Sequence, residues 1–437
     1  MSNNFPFACN STDHFSRRTL LKAAGASGLL WLTPIAQQLA RANETEPSGK
    51  PARSVIVLWM QGGPSQLETF DPHRGSEAAY GSKAIQTAVP GIELGEGLEH
   101  LAELMPDVAL VRSVVSKEGD HERATYNVKT GWRPDPTLIH PALGAVMCHE
   151  LSDNVEIPRH ISILAGQWAA RGGYLGDQFD AFKIGDPQGP VPDVTPRVPQ
   201  ARFDERIQRL QALEDEFARG RLRNLDAGKT LHRTSINAAT RMMSSAQLKA
   251  FDISLAPQAQ REAYGDTPFG RGCLAALRLI EEDVRCVEVT LNGWDTHANN
   301  HELQLGNVKI LDPAFAQLLR DLKARGLFDS TIVICAGEFG RTPKLNPLGG
   351  RDHWPHGFSM ALAGGGLRRG VAIGETSPVL REGKPDVERD VQRPVAVEDV
   401  HATVLTALGI NPLDEIMTPV GRPMAFSKGR VIEDLLG

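Results

Sequence analysis

Cysteine is scarce in this chain: five residues in 437, with no C-x-x-C pair among them. That excludes a small disulfide-stapled scaffold and argues against a zinc ribbon or a thioredoxin-like redox site. Positive charge is not in surplus either, since 47 Lys+Arg against 53 Asp+Glu give a formal net charge of -6. Nothing is left over to neutralise a phosphate backbone, so general nucleic-acid binding is not expected. Internal repeats and low-complexity tracts are missing. So is any apolar run of the roughly 20 residues that a membrane-spanning helix requires. What is present is ordinary: 41% hydrophobic, 6% aromatic and 23% charged residues, in a chain long enough to bury a substantial core.

The first 42 residues read as an address. Ser16-Arg17-Arg18-Thr19-Leu20-Leu21-Lys22 precedes a weakly apolar run, Ala23 to Leu32, and then a small-x-small site, Ala40-Arg41-Ala42. Charged, apolar and cleavage regions in that order make an export signal, and the paired arginines make it twin-arginine type. The expected product is periplasmic or secreted, with no stable membrane span once the signal is cleaved. Cleavage removes Arg17, Arg18, Lys22 and Arg41 against Asp13, so the mature chain is more acidic than the whole. It also removes Cys9. The remaining Cys148, Cys273, Cys286 and Cys335 are expected to be buried small hydrophobes, because the last three sit in apolar strand-like or helix-like runs.

Residues 43–53 form a polar linker, and 54–437 are expected to fold as one domain. Ser54-Val55-Ile56-Val57-Leu58-Trp59-Met60 is a continuous apolar run of the kind buried on both faces of a parallel sheet. Similar runs recur at Val108–Val111, Ile161–Leu164, Cys286–Leu291, Thr331–Cys335 and Phe358–Leu362. Helical patterns lie between them at Gly97–Met105, Ile139–Leu151, Gly270–Glu282 and Ala314–Arg325. The alternation predicts an α/β fold: a mostly parallel central sheet with helices on both faces. Residues 168–200, rich in Gly, Pro and Asp, and the charged helical stretch 202–250 interrupt it. We read about 168–260 as an inserted cap packed beside the sheet.

In open parallel sheets ligands bind beyond the carboxyl ends of the strands. Four segments place polar residues there. Gln61-Gly62-Gly63-Pro64-Ser65-Gln66-Leu67-Glu68-Thr69-Phe70-Asp71 offers Ser65, Glu68 and Asp71, or simply a strand-to-helix turn. Asp120-His121-Glu122-Arg123 stands at a loop-to-helix junction. Asn292-Gly293-Trp294-Asp295-Thr296-His297 puts a carboxylate and an imidazole two residues apart, so both can face one ion if the chain stays extended. Finally, Glu338 and Arg341 follow the Thr331–Cys335 run, and Asp352-His353-Trp354-Pro355-His356 follows after a Gly/Pro loop. This is the densest set of ligand types in the chain. Arg341 either pairs with Glu338 or offers its fork to a phosphate, sulfate or carboxylate.

These residues also carry a family resemblance. The twin-arginine signal, Gly62-Gly63-Pro64-Ser65-Gln66, Tyr264-Gly265-Asp266-Thr267-Pro268-Phe269-Gly270, Gly293-Trp294-Asp295-Thr296-His297, Gly337-Glu338-Phe339-Gly340-Arg341-Thr342-Pro343 and Asp352-His353-Trp354-Pro355-His356 resemble the bacterial domain of unknown function 1501 family. That family is similar in fold to the alkaline phosphatase and sulfatase superfamily. Thr130-Gly131-Trp132-Arg133-Pro134 and the segment 397–410 resemble sulfatase motifs. The departures are as informative. Where the superfamily's first strand ends in a metal-binding Asp, this chain reads Met60-Gln61-Gly62-Gly63. The sulfatase nucleophile position falls on His121, and the superfamily's late Asp-His pair is replaced by Glu338-Phe339. The ligands left to expect are Asp295, His297, Glu338, His353 and His356.

Two functions follow as expectations. The first is an exported metal-dependent hydrolase of phosphate or sulfate esters, with an anionic small molecule or glycan ester as substrate. A divalent ion (Zn, Mn or Ca) would sit on those five ligands, Arg341 would hold the anion, and His121 would act as base or nucleophile. Ser65 is the alternative nucleophile, and attack by water activated at the metal is the simpler mechanism. The second is a non-catalytic periplasmic binding or assembly protein that retains the sulfatase-like fold.

Overall fold

The computed structural model describes residues 50–437 apart from 152–154, 222–230, 382 and 384. The export signal (1–42) and all of the linker except residues 50–53 lie outside the described residues. Nine strands make one sheet: β1 (Ser54–Gln61), β2 (Val108–Val115), β3 (His160–Ile163), β4 (Phe182–Ile184), β5 (Cys286–Asn292), β6 (Thr331–Ala336), β7 (Phe358–Gly364), β8 (Val371–Ile373) and β9 (Val395–Ala396). Their spatial order is β8-β2-β7-β6-β1-β5-β3-β4, with β9 also paired to β2. β7 runs antiparallel to both its neighbours, β2 and β6; every other pairing in the sheet is parallel. The mixed, mostly parallel sheet expected from the apolar runs is therefore the one observed.

Among the described residues, the helices of eight residues or more are α1 (His121–Thr130), α2 (Leu143–Glu150), α3 (Gln200–Arg221), α4 (Leu231–Ser244), α5 (Pro268–Glu281), α6 (Asn300–Ala324) and α7 (Val397–Ala407). α5 and α6 cover one face of the sheet and α1, α2 and α7 the other, and β1 shows why its sequence has no polar side. Ile56, Leu58 and Met60 point into a core shared with α5 and α6. Val55 and Trp59 point the opposite way, into a core shared with α1, α2 and α7. A strand packed on both faces needs apolar residues at every position, which is the signature that exposed it in the sequence. No helix among the described residues is long and apolar enough to cross a membrane. Cys148, Cys273, Cys286 and Cys335 are buried.

Some elements differ from expectation, β8 and β9 among them. The Gly/Pro/Asp-rich stretch after residue 168 contributes β4, an edge strand paired in parallel with β3. At three residues it is too short to leave a period-2 signal. Helix α6 begins at Asn300, well before Ala314, because it continues through Pro313 and its exposed early turns carry no apolar stripe.

Candidate metal centre

The three central strands β6, β1 and β5 lie side by side, with Gln61 opposite Asn292 and Trp59 opposite Ala336. Their carboxyl ends therefore open onto one edge, and each continues into one of the loops singled out in the sequence. β2 ends on the same edge and leads to α1. A short hairpin pairs Arg341 with His353 and Gly340 with Trp354 just before β7 starts there.

Local sequence explains the close approach of these loops. Gly62 has φ of +119°, and a Cβ on it would lie 2.4 Å from the backbone nitrogen of Asp295. Only glycine lets the first loop press against the Asp295 loop. Gln304 of α6 then ties the two together: its amide donates to the Trp294 carbonyl and Thr296 Oγ1, and its Oε1 accepts from the Ser65 backbone N–H. α1 is capped by Asp120, whose side chain accepts from the Arg123 N–H, and it ends on Gly131 in the left-handed region. His121 is thus the first residue of a well-defined helix.

The arrangement around Asp295 is specific. His121 Nε2 lies 3.4 Å from Asp295 Oδ2, while His297 Nε2 and His353 Nε2 lie 3.1 and 3.2 Å from Asp295 Oδ1. The last two nitrogens are 3.1 Å apart. Each imidazole has its other nitrogen engaged by an acceptor. His121 Nδ1 faces Glu338 Oε1 at 2.8 Å, His297 Nδ1 faces Asp352 Oδ1 at 3.0 Å, and His353 Nδ1 faces the Gly119 carbonyl at 2.9 Å. With the proton on Nδ1, each ring donates to that acceptor. All three Nε2 atoms face the same carboxylate.

The electrostatics follow from these contacts. Partial burial works against the charge on Asp295. The hydrogen bond and charge of Arg341 outweigh it and hold the carboxyl at about 2. The hydrogen bond to Glu338 raises the proton affinity of His121 against the opposing effect of burial. Burial lowers that of His353, more than its bond to the Gly119 carbonyl restores. Phe339 closes the inner wall, with ring centroids 5.0 Å from His121 and 4.4 Å from His353. The Trp168 ring lies parallel to His121 at 6.3 Å. Beside it is a cavity of about 610 Å³, lined by Glu122, Thr125, Tyr126 and Lys129 of α1 together with Arg171 and Lys183.

The structure gathers His121, Asp295, His297, Glu338, Arg341 and His353 and leaves two expected residues elsewhere. Ser65 is fully buried, and its Oγ has no hydrogen-bond partner. His356 lies beyond the buried Trp354, where burial lowers its proton affinity and Asp390 is the charge it senses. Two others occupy positions behind the expected ones. Glu338 is fully buried and accepts from the Gly62 N–H and from His121, so it orients a histidine from the rear. Arg341 is also fully buried. It donates to the carbonyls of Gly62, Gly63 and Arg351 and to Asp295 Oδ1, the last at 2.6 Å, which turns its fork away from any bound anion. Glu68 and Asp71 are spent inside the fold, on Arg351 and on Thr376. Asp352, Gly119 and Trp168 were not expected at the site. Only Asp352 had a signal, its place beside His353 in the Asp-His-Trp-Pro-His motif.

The structure is similar to a sulfatase from Pseudoalteromonas sp. (12% identity, 87% of this chain and 72% of that one, TM-score 0.36). It is similar also to a protein in the alkaline phosphatase superfamily from Vibrio parahaemolyticus (13%, 84% and 68%, TM-score 0.34). A third similar structure is the C-terminal periplasmic domain of EcEptC from Escherichia coli in complex with Zn (11%, 90% and 94%, TM-score 0.35). No curated protein matches the sequence. The family model described as "Protein of unknown function (DUF1501)" matches residues 52–436, and the chain belongs to that family.

Proposed function

We propose that this chain is an exported, metal-dependent hydrolase of phosphate or sulfate esters, with His121, Asp295, His297 and His353 as the ion's ligands. One observation carries the reading: three Nε2 atoms, on rings each held by an acceptor at Nδ1, converge on one carboxylate. Asp295 Oδ1, His297 Nε2 and His353 Nε2 form a triangle with sides of 3.1–3.2 Å. Donors bound at about 2.0–2.1 Å to a single ion stand roughly 2.9–3.4 Å apart, so the triangle has the right size. Three imidazoles and one carboxylate suit a borderline ion such as zinc better than calcium, which prefers an all-oxygen shell.

Such an ion supplies Lewis acidity toward an ester oxygen and lowers the pKa of a water. The chain's own residues do the rest. Arg341 keeps Asp295 ionised and aimed, while Glu338, Asp352 and the Gly119 carbonyl hold the three imidazoles in one tautomer. Phe339 shuts water out from behind. The remainder of an anionic small molecule or glycan ester is received in the cavity beside Trp168, where Arg171 and Lys183 offer positive charge in place of the inward-turned Arg341. Export by the twin-arginine route places this chemistry in the periplasm or outside the cell.

The test is a panel of phosphate and sulfate esters assayed with zinc- or manganese-loaded protein, the chelator-treated protein and the His297→Ala/His353→Ala variant. Turnover confined to the loaded wild type is expected. Stoichiometric ion binding with no turnover of any ester would overturn the hydrolase reading in favour of a periplasmic binding or assembly role.

A further inference from the structure

The ligands arrive on separate elements that side-chain contacts tie together. Arg341 joins the β6 loop to Asp295, and Glu338 joins it to His121. The side of α1 that faces β5 is held differently. Lys129, in the last turn of α1, has its side chain only 9% exposed, and its ammonium donates to Glu288 Oε1 of β5 at 2.8 Å. A second proton goes to the Trp168 carbonyl at 2.9 Å, and Nζ lies 4.7 Å from the Trp59 ring centroid on β1. Glu288 Oε1 also accepts from Ser162 Oγ of β3 at 3.1 Å. One ammonium thus fastens the helix that begins with His121, the strand that runs out to Asp295, and the backbone of the residue whose ring lies parallel to His121.

Stability does not explain this pair. Glu288 is only 4% exposed, and the surroundings of the pair are apolar: Val57, Val128, Ile334, Met360, Val397 and Val400 line the small cavity it borders. Taking two charges out of water into such a place costs about what their attraction returns, and an apolar pair of similar volume does as well or better. What an apolar pair cannot do is direct a donor at the Trp168 carbonyl and fix the register of α1 against β5. We infer that Lys129 is a positioning residue: its tie to Glu288 and Trp168 sets where His121 stands relative to Asp295. This rests on the ion site proposed above, though not on its ester chemistry.

The experiment titrates metal-stripped protein with Co²⁺ alone and follows its ligand-field spectrum, comparing wild type with Lys129→Met/Glu288→Met. The double variant removes both charges, so neither is left buried and unpaired. Its Co²⁺ affinity is expected to fall about tenfold to a hundredfold, with an altered spectrum as His121 is misplaced, while the melting temperature holds. Val404→Ala, a cavity-forming change in the same core, lowers the melting temperature and should leave Co²⁺ affinity within about twofold. Unchanged Co²⁺ affinity and spectrum in the double variant would overturn the proposal, as would a loss matched by Val404→Ala. Wild type that binds no Co²⁺ would overturn the ion site itself, and this proposal with it. Hydrogen exchange on wild type decides the matter even if the double variant fails to fold. One equivalent of Zn²⁺ should slow exchange in 167–171 together with α1, and slowing in α1 alone would contradict the tie.

Discussion

Two sets of histidines in this molecule are built from the same side chain and do opposite things. At the sheet edge, His121, His297 and His353 each give Nδ1 to an acceptor and turn Nε2 toward Asp295. In the interior, His160 meets the Phe179 carbonyl, His401 meets the Val128 carbonyl at 2.7 Å, and His140 stacks on Trp132 with ring centroids 4.5 Å apart. Burial lowers the proton affinity of all three interior residues, that of His140 to about 4. The difference lies in what faces the second nitrogen. Apolar packing or a backbone carbonyl makes a histidine a structural group, whereas a shared carboxylate gathers three of them into the arrangement proposed above as a cation site.

Breaking the edge set should have the largest effect. His297→Ala/His353→Ala is expected to abolish stoichiometric zinc binding, measured by calorimetry, while the melting temperature of the metal-free protein stays near wild type. Arg341→Met comes next, because it strands Asp295 and three carbonyls at once. A loss of about 3 kcal/mol in denaturant unfolding is expected, together with weakened zinc binding. Asp352→Asn removes only the carboxylate behind His297 and should weaken zinc about tenfold. Removing an interior residue sharpens the contrast. His140 has a depressed folded pKa, so its contribution is fully present above the unfolded value near 6.5 and is lost as pH falls toward about 4. His140→Phe should therefore flatten the acid limb of the stability curve, by up to about 1.4 kcal/mol per pH unit in that window, without touching zinc affinity. The smallest effect belongs to His356→Ala, whose zinc affinity should match wild type within about twofold.

How much of this was legible in the sequence depended on whether the cause was local. Buried strands announce themselves because a two-faced environment demands continuous apolar runs, and β1, β2, β5, β6 and β7 were all visible that way. Asp295, His297 and His353 were visible too, as polar clusters directly past such runs. The direction of a side chain was not. Arg341 looked like an anion clamp, but three carbonyls from loops distant in sequence turn it inward. His356 shares a motif with His353, but the turn around buried Trp354 carries it to Asp390. Ser65 is polar and follows β1, but the Gln304 tether draws its loop into the interior. Lys129 and Trp168 gave no signal at all, because their importance lies in contacts with β5 and α1 that exist only once the sheet has formed.

The convergence of three Nε2 lone pairs on Asp295 is tested most directly by nitrogen NMR of the histidine rings, before and after one equivalent of Zn²⁺. The Nδ1–H tautomer is expected at His121, His297 and His353. On zinc addition their Nε2 signals alone should shift, with His140, His160, His356 and His401 unmoved. Zinc that fails to bind at one ion per chain, or that leaves His297 and His353 unshifted, would contradict it.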